Sequence, residues 1–268
     1  QDSNSSIARN VTAGYLRIFM NNLQNGIKIL YQNSHILIVQ TGAGVFNKFA
    51  QDDLYGQFNL GLHVGDKPEC VLKNRADLLS SLRQLTHQKT QSIFWLNQVH
   101  GNRVLDTKSD FFTSNQDADA LVSYQKYQAL AIMTADCVPI AIFDDKDGIA
   151  CIHAGWQGLT NGIIKKTAIK LHGQKKAVIG ACISKQNYEI DLALADRIVK
   201  KVIENQLVDL NYDALYSAII QKQNTEKCYI DIVKLTHLQL AFLSIECLSD
   251  KIACSYDKTD LYSYRAQT

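Results

Sequence analysis

The alternation of short apolar strands with amphipathic helices is the feature that most constrains the fold. Segments with apolar residues at helical spacing predict helices, with expected N-caps at Asn74, Asn161 and Asp191. Between them, runs rich in β-branched and apolar residues predict strands at "GIKILYQ", "HILIVQT", "SIFWLNQVH", "DALVSY", "ALAIMT", "VPIAIFD", "GIACIHA", "KAVIGACI", "CYIDIV" and "KIACSYD". This order of elements predicts the α/β fold class.

One pair of strands is too close in sequence for a parallel crossover. Residues 138–143 and 149–153 are joined by the turn "DDKDG", which predicts an antiparallel hairpin and therefore a mixed β-sheet. The chain has only two prolines and contains no low-complexity linker or repeat. We therefore expect residues 20–268 to form one domain.

Composition and charge narrow the class of partner. The 268 residues are 46% hydrophobic, which is enough for a substantial core. The formal charge is +2, from 28 basic and 26 acidic side chains, so no overall field would attract nucleic acid or an anionic membrane. No run reaches the roughly 20 apolar residues that a membrane helix requires. The expected ligand is a small molecule held by local contacts.

The cysteines and residues 1–19 provide information on the cellular compartment of the protein. The seven cysteines are odd in number and scattered through apolar runs, which indicates a reducing, cytoplasmic environment. Residues 1–19 contain neither an initiating Met nor the apolar core of a signal peptide. We expect them to be a disordered or cloning-derived leader, with Met20 as a plausible native start.

Three side chains suggest a metal site. His100 in "NQVHGNRV", Cys137 in "TADCVP" and His153 in "IHAGWQG" each lie in a small-residue context at the end of a predicted strand. Two histidines and a cysteine with an open fourth position suit catalytic zinc, and the same set in trigonal geometry suits copper. The residue types alone do not choose between the two metals.

Other interpretations of these residues remain open. A single cysteine in an apolar strand is usually a small core residue, and a single histidine there is usually hydrogen-bonded. Cys137 is alternatively a nucleophile activated by His100 or His153, without a metal. A metal held by a fourth protein ligand would be structural and would suit a partner-binding module.

Five collinear motifs resemble one family. "NQVHGNRV", "DADALVS", "TADCVPI", "HAGWQG" and "IGACISKQNYEI" are similar to the YfiH family, described as laccase-domain polyphenol oxidoreductases and as purine nucleoside phosphorylases. The resemblance covers the chain from about Gly26 onward, including "FNLGLHVGDKPECVLKNR" and "ACSYDKTDLYSYRAQ". The chain departs from the family where "VQTGAGVFNKF" has no arginine.

The resemblance implies a fold and an activity. The fold would be an α/β sandwich, a single domain with a mixed sheet flanked by helices, related to cysteine hydrolases. One metal, usually zinc, would bind to His100, Cys137 and His153. The implied activity is phosphorolysis of adenosine, inosine and methylthioadenosine to a free base and a pentose 1-phosphate, with companion adenosine deamination. The alternatives are copper-dependent phenol oxidation at the same site and amide hydrolysis on peptidoglycan precursors.

Side-chain chemistry and position in the matching segments suggest roles for individual residues in the implied reaction. Cys137 and Asp136 are expected to be catalytic, although a structural role for Asp136 is equally open. Nucleoside and phosphate would be bound by hydrogen-bonding, cationic and aromatic side chains, namely Asn59, Arg75, Gln98, Asp119, Trp156 and Arg265. We expect no nucleic-acid or membrane partner, and a monomer or small homo-oligomer.

Overall fold

The computed structural model describes residues 26–45, 47, 54–108 and 116–267, so the expected leader and Met20 lie outside the described residues. The strands are β1 (Lys28–Gln32), β2 (Leu37–Gln40), β3 (Ser92–Phe94), β4 (Val104–Asp106), β5 (Ala120–Ser123), β6 (Gln128–Leu130), β7 (Val138–Asp144), β8 (Ile149–Ala154), β9 (Lys175–Ile179), β10 (Glu189–Asp191), β11 (Ile220–Lys222), β12 (Lys227–Ile230) and β13 (Glu246–Cys247). The helices are α1 (Pro68–Leu85), α2 (Trp156–Thr160), α3 (Ile163–Ala168), α4 (Leu192–Glu204), α5 (Tyr212–Ile219), α6 (Ile232–Phe242) and α7 (Tyr264–Gln267).

A mixed sheet is the main structural element. In the described part of the chain its six strands follow the order β13-β9-β7-β8-β5-β4. β7 pairs antiparallel with both β8 and β9, and β8 pairs antiparallel with β5, whereas β4 and β13 run parallel to their neighbours. The predicted hairpin and the predicted mixed sheet are confirmed.

Smaller sheets surround the main one. β1 pairs with β2, β3 pairs in parallel with β6, and β12 lies between β10 and β11. No helix within the described ranges combines the length and apolar character needed to cross a bilayer.

The largest core cluster lies between the main sheet and helices α2 to α6. Its completely or nearly completely buried side chains come from strands and helices alike, for example Ile140, Ile152, Leu159, Ile198 and Leu235. Burying one such side chain contributes about 1.5–3 kcal/mol. A sheet flanked by packed helices confirms the expected α/β class.

Helix α4 follows the sequence prediction closely. Asp191 is its N-cap residue, and the apolar positions Ala195, Ile198, Val199 and Val202 are buried. These positions repeat at helical spacing, so one face of the helix packs on the core. The helix therefore has the predicted N-cap residue, and its apolar face is buried.

Two predicted N-caps are wrong. Helix α1 begins at Pro68 after the N-cap Lys67, because the fixed φ of proline suits the first helical position. Asn74 lies inside α1 and donates through Nδ2 to the backbone oxygen of Asn59. Asn161 ends α2 instead of starting α3, which follows Gly162 in a left-handed conformation with φ of 75°.

Several predicted strands are shorter than expected. The run "SIFWLNQVH" is a strand only at Ser92–Phe94, and the following residues form a loop that carries Gln98 and His100. Gln98 and His100 therefore lie on a loop and not on one face of a strand. In "KIACSYD" the pairing is reduced to an isolated bridge between Cys182 and Cys254.

Candidate metal centre

Three potential ligands meet at one end of the central strands β7 and β8. Cys137 directly precedes β7, His153 is the penultimate residue of β8, and His100 lies in the loop after β3. Val138 pairs with Ala154, so the start of β7 lies beside the end of β8. One donor atom from each of the three residues lies within 4.8 Å of the other two. The sequence predicted these residues as one ligand set, and the fold brings them together.

The site is closed on one side and open on the other. His153 is only 4% exposed, Cys137 is half-buried, and His100 is exposed. The two imidazole rings meet edge to face, with centroids 4.7 Å apart and an interplanar angle of 78°. A small molecule can therefore reach the ligands from the side of His100.

Asp119 fixes the orientation of His153. The Asp119 side chain is completely buried, and its Oδ1 atom lies 2.8 Å from His153 Nδ1. Burial raises the pKa of Asp119, but hydrogen bonds from His153, Gly101 and His100 outweigh it and hold the pKa below its usual range. The ionised carboxylate only accepts, so Nδ1 carries the proton and Nε2 keeps its lone pair for a metal.

The same carboxylate also holds the His100 loop. Asp119 accepts hydrogen bonds from the backbone N–H groups of His100 at 3.0 Å and Gly101 at 2.6 Å. His100 has a φ of 57°, a left-handed conformation that is uncommon for a residue other than glycine. These two hydrogen bonds stabilise that conformation. One buried acid therefore positions both histidines.

The protonation of the ligands favours a metal over a free thiolate. Burial raises the pKa of the Cys137 thiol to about 12, and the negative charges of Asp136 and Asp119 add to the effect. Without a cation the thiol is protonated at neutral pH, unlike a nucleophilic cysteine, which needs a lowered pKa. Burial, followed by repulsion from His153, lowers the pKa of His100, which keeps that imidazole neutral.

The space beside the ligands also suits an ion. A Cβ atom at Gly155 would lie 3.0 Å from Cys137 Sγ and 3.4 Å from His100 Cδ2. Glycine at this position therefore leaves the two ligands uncrowded. One thiolate, two imidazoles and a carboxylate behind one histidine form a donor set suited to zinc or copper.

Gln98 joins the two ligand-bearing segments. Its Nε2 atom donates to the backbone oxygen of Met133, and its Oε1 atom accepts from the backbone N–H of Met133, both at 2.7 Å. This paired contact ties the His100 loop to the segment that leads into Cys137. The side chain predicted to bind substrate thus has both polar atoms engaged within the protein.

Asn59 and Arg75 organise a loop near the site. Asn59 is buried and bonds through its side chain to Gly61 and Asp66. Arg75 donates from Nε to the backbone oxygen of Leu60 at 2.9 Å, and its guanidinium carbon lies 4.0 Å from the centre of the Trp95 ring. These contacts shape residues 59–66, and substrate contact by either side chain stays a prediction.

Arg265 and Trp156, which were also predicted to bind substrate, contact other residues of the protein. Arg265 donates from Nη1 to the backbone oxygen of Glu189 at 3.0 Å, with its guanidinium carbon 5.5 Å from the Tyr188 ring centre. Trp156 begins α2 and is half-buried, with the Arg197 guanidinium 5.5 Å from the centre of its ring. Their expected contacts with nucleoside and phosphate stay predictions.

Asp136 is engaged by the C-terminal segment. Its Oδ1 atom accepts from Ser255 Oγ at 2.6 Å, and its Oδ2 atom accepts from the backbone N–H of Arg265 at 2.7 Å. These contacts favour the structural role that the sequence left open. A catalytic role for Asp136 stays a prediction.

Sequence reasoning missed two neighbours of the ligands. Tyr188 interacts electrostatically with Cys137, and burial, followed by that interaction, raises the pKa of Tyr188 to about 12. His63 is exposed and is close enough to His100 to lower the pKa of that imidazole. Both contacts join distant segments, so no local pattern marks them.

The comparisons with known proteins agree with the resemblance. The family model described as multi-copper polyphenol oxidoreductase laccase matches residues 46–268. A relative from Corynebacterium glutamicum named purine nucleoside phosphorylase is 31% identical over 222 residues, covering 80% of this chain and 83% of the relative. The protein of Shigella flexneri named purine nucleoside phosphorylase YfiH is 29% identical over 217 residues, covering 79% and 82%.

Solved structures share the fold. The Neisseria meningitidis protein NMB0706 superposes with a TM-score of 0.70 at 23% identity, covering 90% of this chain and 94% of that protein. YlmD from Geobacillus stearothermophilus gives a TM-score of 0.62 at 21% identity, covering 90% and 85%. At these identities the similarity establishes the architecture alone.

Proposed function

Because the chain belongs to the multi-copper polyphenol oxidoreductase laccase family, whose relatives include proteins named purine nucleoside phosphorylase, we propose that it is a metal-dependent purine nucleoside phosphorylase. The observation that carries this proposal is the convergence of His100, Cys137 and His153 at a site open to solvent. Its substrates are a purine nucleoside, such as adenosine, inosine or methylthioadenosine, and inorganic phosphate.

The reaction exchanges one bond at the sugar. A phosphate oxygen attacks C1′ of the ribose, and the C1′–N9 bond breaks with its electron pair moving to the purine. The purine takes up a proton, and the products are the free base and pentose 1-phosphate. A divalent ion bound to the three ligands supplies Lewis-acid stabilisation of negative charge.

The protein contributes binding and orientation. Asp119 keeps His153 in one tautomer and holds the His100 loop, so the ligands are positioned before substrate arrives. Arg265 uses one nitrogen for the Glu189 carbonyl, and a guanidinium has further N–H donors that suit phosphate. In this proposal the half-buried indole of Trp156 stacks on the purine.

The test is product analysis with and without phosphate. Metal-loaded protein is incubated with each nucleoside, and bases and nucleosides are separated by chromatography. We expect phosphate-dependent base release that falls more than about 100-fold in Cys137→Ala, because a metal ligand is lost. Cys247→Ala is the matched control, since Cys247 is a half-buried free cysteine on the edge strand β13. Absence of turnover in the metal-loaded parent would contradict the proposal.

The same assay tests companion adenosine deamination. Water would add at the purine carbon bearing the amine, and ammonia would leave to give inosine. Inosine formed from adenosine without phosphate would support this activity. If adenosine yields only adenine and only with phosphate, deamination is excluded.

Copper-dependent phenol oxidation is the second candidate. Two histidines and a cysteine match the donor set of blue-copper sites, and the family description names a polyphenol oxidoreductase. Within the residues that the structure describes, however, no second cluster of potential ligands accompanies the first, so zinc is the metal we propose. Oxygen consumption with a phenol by copper-loaded protein, compared with zinc-loaded protein, tests this alternative.

A further inference from the structure

We propose that Asp136 is a positioning residue that fixes Cys137 in the metal site by fastening the C-terminal segment to the backbone beside it. The donors of this C-terminal clasp are Ser255 and Arg265. The inference rests on the metal site of the proposed function and assigns control of that site to residues outside the ligand set.

The clasp occupies both oxygens of one carboxylate. Ser255, a buried residue, donates its hydroxyl to Asp136 Oδ1 at 2.6 Å, and the backbone N–H of Arg265 donates to Oδ2 at 2.7 Å. The backbone oxygen of Asp136 also accepts from the N–H of Ile183 at 3.0 Å. The residue before Cys137 is thus held at three acceptor atoms by segments distant in sequence.

The backbone at Asp136 needs such support. Its φ is 89°, in a region that residues with a Cβ atom rarely adopt. Asp136 directly precedes Cys137, which is followed by the first residue of β7. The backbone conformation at Asp136 therefore determines the direction in which the Cys137 side chain points. If φ relaxed to a negative value, the Cys137 side chain would move away from His100 and His153.

The clasp is itself anchored on several sides. Ser255 donates its N–H to the backbone oxygen of Cys182 at 2.9 Å, and Arg265 donates from its guanidinium to Glu189. Gln267 donates to the backbone oxygen of Leu54 at 3.1 Å. These contacts connect the C-terminal segment to three other segments. The donors of the two hydrogen bonds to Asp136 are therefore themselves held in place.

The experiment compares metal affinity in full-length variants. Zinc dissociation constants are measured by competition with a chromophoric chelator, and the sulfur-to-metal charge-transfer band is recorded with Co²⁺. We expect Asp136→Ala to weaken zinc binding about 10- to 100-fold and to diminish the band, as loss of a contact behind a ligand typically does. Ser255→Ala, which removes one bond, should have a smaller effect.

Two further variants separate positioning from general stability. Asp136→Gly also removes the clasp but tolerates a positive φ, so it should bind zinc more tightly than Asp136→Ala. Asp144→Asn is the matched control, because Asp144 ends the same strand and accepts several hydrogen bonds without contacting a ligand. It should lower the melting temperature while leaving the zinc dissociation constant unchanged.

The outcomes distinguish the inference from the function on which it rests. A parent protein that binds no zinc overturns the proposed metal site, and the inference with it. A parent that binds zinc while Asp136→Ala binds equally tightly overturns the inference alone. Equal weakening by Asp136→Ala and Asp144→Asn also overturns it, because the effect would then reflect stability.

Discussion

His153 Nδ1 lies 2.8 Å from a carboxylate oxygen of Asp119, and the same carboxylate accepts the backbone N–H of His100. One buried acid thus links two proposed metal ligands that come from different segments. The Asp119→Asn substitution should weaken zinc binding about 10- to 100-fold, because the negative charge that orients His153 is lost. Asp117→Asn, at a carboxylate that accepts from Asn97, is the control and should leave zinc binding unchanged. Unaltered zinc affinity in Asp119→Asn would contradict the prediction.

Zinc affinity should depend strongly on pH. The Cys137 thiol, with a pKa of about 12, is protonated in the metal-free protein, so binding releases its proton. Affinity should fall about tenfold for each pH unit lowered between pH 8.5 and 7. Because the pKa of His100 is lowered from 6.5, competition by protons at that ring begins only below this value. Chelator competition at several pH values measures the slope, and a flat profile would argue against thiolate coordination.

Gly155→Ala should disturb the ligands directly. The new Cβ atom would lie 3.0 Å from Cys137 Sγ, a distance that forces one of the two to shift. We expect weaker zinc binding and a smaller rise in melting temperature on adding zinc. The melting temperature of the metal-free variant should change little, and a large fall there would point to a general packing defect.

Asp144 should stabilise the turn between β7 and β8. Burial raises the pKa of its carboxyl, but hydrogen bonds from the Gly173, Gly148 and Lys146 amides and from the Tyr124 hydroxyl outweigh this, and the net pKa is lowered. The stabilisation is therefore present above the unfolded-state pKa of about 3.9 and disappears as pH falls through the lower folded-state value.

In Asp144→Asn the amide group faces backbone donors, which should cost about 2–3 kcal/mol in the free energy of unfolding at pH 7. Urea unfolding of parent and variant at pH 7 and near pH 3 measures this difference. The difference should narrow at the lower pH, and one that stays constant would contradict the assignment to an ionised carboxylate.

Removing the metal should lower stability, because an ion that binds only the folded chain stabilises it. At a free zinc concentration 100 times the dissociation constant, the gain is about 2.7 kcal/mol. A strong chelator should therefore lower the melting temperature of the parent by about 5–10 °C. Cys137→Ala should show almost no response to the chelator, and an equal response would place the bound metal elsewhere.

Local patterns predicted the parts of the fold that depend on neighbouring residues. The hairpin of β7 and β8 follows from its short turn, and α4 follows from the spacing of Ala195 and Ile198 after Asp191. The start of α1 was missed because Pro68 sets it, and no pattern around Asn74 shows that its amide contacts residue 59 across the fold.

The candidate site, too, was predicted only in part from the sequence. The sequence indicated His100, Cys137 and His153, since each residue type is a known ligand in a small-residue context. It predicted that Asp119 and Gln98 bind substrate, which stays a prediction, and it did not indicate that Asp119 bonds to His153 or Gln98 to Met133. Such contacts depend on three-dimensional proximity between segments that a single sequence does not reveal.

The hydrogen bond between Asp136 and Arg265 joins residues 129 positions apart. During synthesis the segment carrying all three ligands leaves the ribosome long before residue 265 does. The ligands can therefore approach one another early, but Cys137 acquires its full support only when the last helix has docked. Metal loading would then be a late event that marks chains whose distant segments have already assembled.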